Sequence, residues 1–299
     1  MKKRILLSAS LLTVGFPLWC GTVATEPDSE QVLSSSQRQK DSLTFVQADW
    51  QWTDLERGAE AGYASLRIFG STQSISVVRY RASRFKTDIV SAPEAEASTT
   101  DTLAVRAGAF AAVNGSYFNV KTLEHATFFC RTGKVLSDTY RNELFRCDGV
   151  LALKKGCGHR IEVLPYDQEK EEFYRKRYKA AIVSGPVLAI DGRRRTEFDM
   201  KNKFFGRRHP RTFVGSTSDG WIYFVVIDGR FPGQGEGATI PEVVTIASWL
   251  GLSDAINIDG GGSSTIWTAT TGVINHPYDN KKFDHEGLRV VPNIVTVSK

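Results

Sequence analysis

The stretch on which the fold prediction rests is residues 255–265, which read Ala-Ile-Asn-Ile-Asp-Gly-Gly-Gly-Ser-Ser-Thr. Side chains alternate between the two faces of a strand, so Ile256 and Ile258 would enter a core, and Asn257 and Asp259 would lie on the opposite face. The three glycines then end the strand and permit backbone conformations, or a close approach of a ligand, that other residues block.

The glycine-rich loop has two interpretations. It is either a tight turn with polar decoration or a cradle for an anion, built from the backbone N–H groups at Gly260 and Gly261 and from the hydroxyls of Ser263 and Ser264. The Asn-x-Asp pattern directly before the loop favours the cradle.

Three more polar clusters stand where predicted strands end, at residues 114–118, 207–212 and 228–230. A strand that ends in a glycine-flanked polar group presents its side chain rigidly at the rim of a sheet. Residues 221–227 are the most β-rich segment and are predicted to form a central strand. Because the same arrangement recurs at four strand ends, we expect the four clusters to share one site.

The chemistry of these clusters suits an anionic ligand and acid-base work. Arg211 and Arg230 supply planar donors that match a phosphate, and Asp228 and Asp259 supply two carboxylates for general acid-base or nucleophilic roles. Further candidates are His209, Glu236 and Glu242.

The predicted fold class is α+β: a single domain over residues 41–299 with a mixed, mostly antiparallel β-sheet and a few helices packed against one side. The clearest helix follows Thr239, where Thr-x-x-Glu forms a capping box with Glu242. An apolar stripe on one face of that helix would pack on the sheet: Val243, Ile246, Ala247 and Leu250.

The length, composition and charge of the chain limit the classes of function it can have. The chain has 299 residues, 41% hydrophobic and 24% charged residues, a net charge of +5 and a pI near 9.0, which is the composition of an ordinary globular protein. The basic excess fits an anionic substrate or an anionic envelope surface. It is too diffuse, and too poor in interleaved aromatic residues, to indicate nucleic acid.

The N-terminus has the pattern of a targeting segment. A basic start followed by a short apolar run predicts a signal peptide over residues 1–20, and the polar, Ser- and Gln-rich residues 21–40 predict a flexible linker. Cleavage would follow Ala24 or precede Cys20, and lipidation of Cys20 would tether the protein to a membrane. The chain is therefore expected to be exported, as a periplasmic or envelope-anchored lipoprotein.

Three cysteines lie in the body of the chain: Cys130, Cys147 and Cys157. An exported chain can form a disulfide, and both Cys130–Cys147 and Cys147–Cys157 are open pairings. No paired CxxC spacing, histidine-rich motif, GxSxG elbow or Walker lysine is present, so no metal or other cofactor is assigned.

The ordered motifs resemble the phosphodiester glycosidase family, over residues 114–293. The matching pieces are Asn114-Gly-Ser-Tyr-Phe, Ser184-Gly-Pro, His209-Pro-Arg-Thr, Asp228-Gly-Arg, residues 237–242, the Asn257-x-Asp-Gly-Gly-Gly-Ser-Ser-Thr stretch, and Arg289 with Pro292-Asn293. Ser116 and Gly235 depart from the family pattern, at positions we expect on the rim of the site.

The resemblance implies hydrolysis of a sugar joined through its anomeric carbon to a phosphodiester, within a phosphorylated carbohydrate or an envelope glycopolymer. Asp228 and Asp259 would be the catalytic carboxylates, and Arg211 and Arg230 would hold the phosphate. The remaining candidates would position the sugar or phosphate: Asn114, Asn257, Gly260, Gly261, Ser263 and Ser264.

Two alternatives stay open from the sequence. Asp228 and Asp259 could hold Mg²⁺ or Ca²⁺ in a metal-dependent phosphodiesterase. The chain could instead be a non-catalytic envelope module that binds a sugar phosphate polymer, although paired carboxylates beside an anion argue against a pure binder.

Overall fold

The structure, a computed structural model, describes residues 35–92, 96–156 and 160–299. Its five α-helices are α1 (Ser35–Gln47), α2 (Thr100–Arg106), α3 (Glu171–Arg177), α4 (Lys203–Gly206) and α5 (Ile240–Trp249). Short 3₁₀ helices lie at Arg141–Glu143, Gln168–Lys170 and Gly261–Ser263. None of the described helices is long and apolar enough to cross a membrane.

The described strands divide among three larger sheets and one two-stranded sheet. In chain order they are β1 (Gln51–Glu56), β2 (Ala59–Ile68), β3 (Ser71–Arg81), β4 (Lys86–Ser91), β5 (Ser98–Thr99), β6 (Ala111–Asn114), β7 (Phe129–Arg131), β8 (Lys134–Ser137), β9 (Gly149–Lys154), β10 (Ile161–Pro165), β11 (Tyr178–Ser184), β12 (Val187–Ile190), β13 (Arg193–Arg194), β14 (Arg211–Ser216), β15 (Trp221–Ile227), β16 (Asp254–Ile258), β17 (Ile266–Thr268), β18 (Gly272–Val273), β19 (Val290–Val291) and β20 (Asn293–Ser298).

The largest sheet has eight strands in the order β1-β2-β3-β15-β14-β16-β12-β13. Two five-stranded sheets, β10-β9-β11-β7-β8 and β18-β17-β6-β20-β4, pack against one of its faces. Alternation along β16 sends Ile256 and Ile258 into this shared core, as the sequence predicts. The pairings recorded between described strands are all antiparallel, so the α+β, mostly antiparallel prediction is confirmed.

Helices cover the other face of the eight-stranded sheet. The capping box at Thr239 and Glu242 opens α5 as predicted, and its apolar stripe packs on that face together with Phe45 of α1 and Phe205 of α4. The expectation that all helices pack on one side is wrong in part. Helix α2 packs on β6 and β20, and α3 packs on β11, because each of the smaller sheets also has an apolar face to cover.

The predicted domain start at residue 41 falls inside α1, so residues 35–40 of the predicted flexible linker belong to a helix. Phe45 is fully buried, and the Asp41 carboxylate accepts a hydrogen bond from the Phe69 N–H. The predicted signal peptide, Cys20 and the rest of the linker lie outside the described residues, as does Cys157. Cys130 and Cys147 are buried free thiols, so the Cys130–Cys147 disulfide that the sequence left open is not formed.

The site is positioned by the register around β14. Strand β14 is antiparallel to both β15 and β16, with Arg211 opposite Ile227 and Thr212 opposite Ile258. The start of β14 and the ends of β15 and β16 therefore lie side by side at one end of these central strands. This brings three of the four predicted clusters together, and Asn114 at the end of β6 joins them through a hydrogen bond to the main-chain oxygen of Asp259.

Candidate active site

The site centres on the carboxyl group of Asp259, at the point where β16 ends in the glycine loop. Two hydrogen bonds to residues at the end of β6 hold the main chain of Asp259 in place. The Asp259 N–H donates to Gly115 O at 3.1 Å, and Asp259 O accepts from Asn114 Nδ2 at 2.6 Å. One carboxylate oxygen accepts from the N–H of Gly260 at 2.9 Å. The side chain remains partly exposed.

Burial raises the pKa of Asp259 to about 6, against the opposing influence of the Ser263 hydroxyl, Arg146 and Arg289. Desolvation disfavours the charged form of a carboxyl group. A carboxyl with a pKa near neutrality exchanges a proton readily at neutral pH, which is the property that general acid-base catalysis requires.

The raised pKa of Asp259 makes a prediction about stability. Between about pH 4 and pH 6 this carboxyl is ionised in the unfolded chain and protonated in the folded chain, so its contribution to stability decreases as the pH rises. A pKa difference of about two corresponds to about 3 kcal/mol, and partial exposure lowers the expected value to about 2 kcal/mol.

We therefore expect the free energy of unfolding of the unsubstituted protein, relative to Asp259→Asn, to fall by about 2 kcal/mol from pH 4 to pH 7. Urea unfolding at several pH values measures this difference. A difference that is independent of pH would show that Asp259 has an ordinary pKa.

Arginine side chains lie against the glycine loop. A Cβ atom at Gly261 would lie 3.2 Å from Nη2 of Arg230, and one at Gly262 would overlap both the guanidinium of Arg289 and the carboxylate of Asp279. Arg289 donates to Asp279 through Nε at 2.8 Å and Nη2 at 2.5 Å. The absence of side chains at these two glycines lets the arginines approach the main chain closely.

Arg230 is the arginine best placed to bind an anion. It is exposed, its φ of 69° lies in the left-handed region, and its guanidinium lies 5.0 Å from the ring centre of Tyr278. A non-glycine residue held in this conformation is typical of functional sites. Among the described residues no carboxylate forms an ion pair with Arg230, which leaves its donors available to a ligand.

Arg146 contributes a third positive charge. It pairs with Glu143, and its guanidinium carbon stacks 3.9 Å from the ring centre of Tyr117. Sequence reasoning missed this residue because it lies in an irregular segment before β9, where no glycine or strand end marks it. Arg289 was noticed only through the family resemblance.

The anion cradle predicted from loop N–H groups is largely absent. The N–H groups of Gly260, Gly261, Ser263 and Ser264 already donate to Asp259 Oδ1, Pro210 O, Gly260 O and Gly261 O respectively. Both serine side chains are 1% exposed. Positive charge at the site therefore comes from arginine side chains rather than from the loop backbone.

Arg211 does not reach the surface. It is 2% exposed and donates to the main-chain oxygens of Ala238, Phe204 and Arg207. Burial lowers the pKa of its guanidinium to about 10. The structure therefore does not present Arg211 to a phosphate, contrary to the sequence interpretation. Its hydrogen bonds instead stabilise the start of β14.

Asp228 is also enclosed. It is 1% exposed, and its two oxygens accept from Ser74 Oγ at 2.7 Å, Asn275 Nδ2 at 3.0 Å, and the main-chain N and ring Nδ1 of His276 at 2.9 Å each. Four donors saturate a carboxylate. Asp228 and Asp259 therefore do not form the pair of accessible carboxylates that the sequence suggested.

His276 is a second residue that sequence reasoning missed. Its ring stacks on Phe283 at 3.7 Å between centres, and with Tyr63 and His285 it lines a cavity of about 310 Å³. A polar Asn-His pair before a proline at residues 275–277 was the available signal, since it repeats the His-Pro pattern at 209–210.

The remaining candidates hold the loop in place. Asn114 Oδ1 accepts from Thr212 and from the Thr265 N–H, while Asn257 Nδ2 donates to Tyr117 Oη, Gly185 O and Ile258 O. Both amides are buried. Their hydrogen bonds hold the turn in place, and the buried Oδ1 of Asn257 has no hydrogen-bond partner among the described residues.

The three further candidates also have structural contacts. Glu236 accepts from the Thr72 N–H, and Glu242 caps α5 and pairs with Arg208. Burial, followed by nearby Arg211 and Arg230, lowers the pKa of His209 to about 4, so its ring is neutral at pH 7.

The two departures from the family pattern are not at the rim. Ser116 is 3% exposed and donates to Val183 O, and Gly235 is buried beside the Cβ atoms of Asp228 and Ser74. Among the described residues, no three His, Cys, Asp or Glu side chains converge as metal ligands would.

The comparison with curated protein sequences found no match. Solved structures share the fold. The zebrafish N-acetylglucosamine-1-phosphodiester alpha-N-acetylglucosaminidase catalytic domain, auto-inhibited by its pro-peptide, has 15% identity and a TM-score of 0.63, and the match covers 92% of this chain and 96% of that domain.

A hypothetical protein from Synechocystis has 14% identity and a TM-score of 0.63 over 83% of this chain, and the match spans 63% of that protein's chain. A protein from Burkholderia pseudomallei whose name describes it as exported has 14% identity and a TM-score of 0.57, with 78% of this chain and 75% of that chain covered. The family model described as phosphodiester glycosidase matches residues 107–298, which is more than half of the sequence. The chain therefore belongs to the phosphodiester glycosidase family.

Proposed function

We propose that this protein is a hydrolase that releases a sugar from a sugar-1-phosphodiester by cleaving the bond between the anomeric carbon and the phosphate oxygen. The observation that carries the proposal is the partly exposed carboxyl of Asp259, with a pKa of about 6, beside a glycine loop contacted by Arg230 and Arg289. Family membership supports the same reaction class.

Arg230 is proposed to hold the phosphate, with Arg289 adding positive charge nearby. A guanidinium matches phosphate oxygens through two parallel hydrogen bonds. As the bond to the anomeric carbon breaks, its electron pair and a negative charge pass to the departing phosphomonoester. Positive charge fixed before the reaction stabilises that change without reorganisation.

Asp259 is proposed to act at the anomeric carbon. In its ionised form it accepts a proton from a water molecule as the water oxygen bonds to the oxocarbenium-like carbon. A phosphomonoester has a second pKa near about 6 and leaves readily, so strong acid assistance is unnecessary. One available carboxylate is therefore sufficient for the reaction.

Product analysis tests the proposed reaction. The purified protein is incubated with the methyl diester of a sugar 1-phosphate, and the products are separated by mass. With ¹⁸O-labelled water the proposal expects free sugar and unlabelled methyl phosphate, because cleavage of the P–O bond on the sugar side would place the label in the methyl phosphate. Sugar 1-phosphate and methanol would instead identify a phosphodiesterase, and a parallel reaction with EDTA would test the metal-dependent form of that alternative.

Arg230→Met is expected to reduce kcat/KM about 10²-fold, because it removes the proposed phosphate contact and leaves a side chain of similar length. Arg193→Met, at an exposed arginine of β13, is the matched control and should retain kcat/KM. Equal rates for the two variants would mean that phosphate binding lies elsewhere.

The protein is proposed to be exported. Its proposed substrate is a phosphorylated carbohydrate or an envelope glycopolymer. The signal-like residues 1–20, with Cys20 as a lipid anchor, support a periplasmic or envelope-anchored location. Residues 41–299 would then form the catalytic domain. Cell fractionation with and without Cys20→Ser tests the anchor.

A further inference from the structure

The described surface has an unusual concentration of exposed apolar side chains in one segment. Five of its twelve exposed large hydrophobic residues lie within residues 135–145: Val135, Leu136, Tyr140, Leu144 and Phe145. Single exposed apolar residues are normal, whereas exposed apolar residues that are also in contact with one another mark a binding surface.

The end of this segment borders the proposed site. Phe145 is 53% exposed and directly precedes Arg146, whose guanidinium carbon lies 5.7 Å from the Phe145 ring centre and 5.4 Å from that of Phe204. The same guanidinium carbon lies 3.9 Å from the ring centre of Tyr117, whose hydroxyl accepts from Nδ2 of Asn257, two residues before Asp259. Arg146 and Tyr117 therefore connect the apolar surface with the strand that precedes the proposed reacting group.

Two loops build this surface. The Phe145 ring meets the Phe204 ring edge to face, with centres 5.9 Å apart and an interplanar angle of 87°. Leu144, the residue before Phe145, is 39% exposed. We call these three residues, Leu144, Phe145 and Phe204, the apolar rim.

The rim is unlike the sugar-facing part that the reaction requires. A sugar ring presents hydroxyl groups that need hydrogen-bond partners, whereas the side chains of the rim are hydrocarbon. A substituent that lies on the rim gains most when it is itself hydrocarbon, because both surfaces leave water.

We propose that the apolar rim binds the alcohol on the far side of the phosphate, and that this alcohol is a hydrocarbon chain. This inference rests on the proposed function, and it identifies the substrate class as a glycosyl phosphodiester of a lipid alcohol. The arginines would hold the phosphate between a sugar near Asp259 and a chain that extends over Phe145.

Binding of two phosphomonoesters tests the rim without turnover. Octyl phosphate, used below its critical micelle concentration, is expected to bind the protein at least about tenfold more tightly than methyl phosphate, as measured by calorimetry. In Phe145→Ser that ratio should fall to about two, while Phe145→Leu should keep most of it. Phe173→Ser, at a residue 51% exposed on α3, is the matched control and should keep the full ratio.

Hydrolysis separates this inference from the proposed function. The octyl diester of a sugar 1-phosphate should be cleaved with a kcat/KM at least about tenfold above that of the methyl diester, and Phe145→Ser should remove the difference. Cleavage of both diesters at equal rates, or a chain preference that survives in Phe145→Ser, would overturn the rim and leave the proposed reaction standing. If neither diester were cleaved, the proposed function would fail. The octyl-to-methyl binding ratio would still decide whether the rim takes a hydrocarbon chain.

Discussion

Asp259→Asn is expected to reduce kcat for hydrolysis of a sugar-1-phosphodiester about 10³-fold and to leave the fold intact. Asparagine fills the same space and can still accept from the Gly260 N–H through its amide oxygen, but it cannot take a proton from water. The substitution also removes a carboxyl group whose ionised form is disfavoured by burial. The variant should therefore unfold at the same or a higher urea concentration at pH 7.

Single-turnover kinetics and urea unfolding of the same preparation check both halves of this prediction. Asp254→Asn is the matched control, because Asp254 starts the strand that Asp259 follows and accepts from the Asp191 N–H at the opposite end. It should keep full activity. Full turnover by Asp259→Asn would assign the raised pKa of Asp259 to the architecture of the loop alone.

Asp228→Ala is expected to have the opposite effect, with a loss of about 3 to 5 kcal/mol in the free energy of unfolding. The substitution leaves the Ser74 hydroxyl, the Asn275 amide and both nitrogens of His276 without their acceptor in a buried setting. Unmade hydrogen bonds of buried donors cost the full desolvation of each donor.

Urea unfolding measures this loss, with Asp219→Ala as the control. Asp219 lies in an exposed turn, where its side chain is 63% exposed, and its removal should cost less than about 1 kcal/mol. If Asp228→Ala kept normal stability and lost turnover, the original sequence interpretation of Asp228 as a catalytic carboxylate would be right.

The contrast between the two aspartates shows where sequence reasoning succeeded. Both follow a β-rich strand and precede a glycine, and both indeed lie where β15 and β16 end beside the start of β14. Strand alternation and turn chemistry are local properties, so the sequence predicts them well. Helix α5 was predicted for the same reason, since its capping box and apolar stripe are adjacent in the chain.

The roles of the polar residues could not be predicted in the same way. Arg211 and Arg230 look equivalent in the sequence, yet Arg211 is bound by three main-chain oxygens and Arg230 is exposed over the glycine loop. Of these oxygens only Ala238 O comes from a segment distant from Arg211, and the glycine loop beside Arg230 is likewise distant from it along the chain. Arg146 was missed because no local pattern marks it. The Asn-His-Pro pattern at residues 275–277 is visible in the sequence, but it does not reveal that His276 contacts Asp228.

The family, the antiparallel α+β fold and the strand ends at which the site lies could be predicted from the amino-acid sequence, because they follow from hydrophobic periodicity, glycine positions and the order of short motifs. Which carboxylate and which arginines remain available to a ligand is visible only in the folded protein. Availability depends on burial and on hydrogen-bond partners brought together by folding. At these strand ends, folding enclosed Asp228 and Arg211 and left Asp259 and Arg230 partly or fully open to solvent.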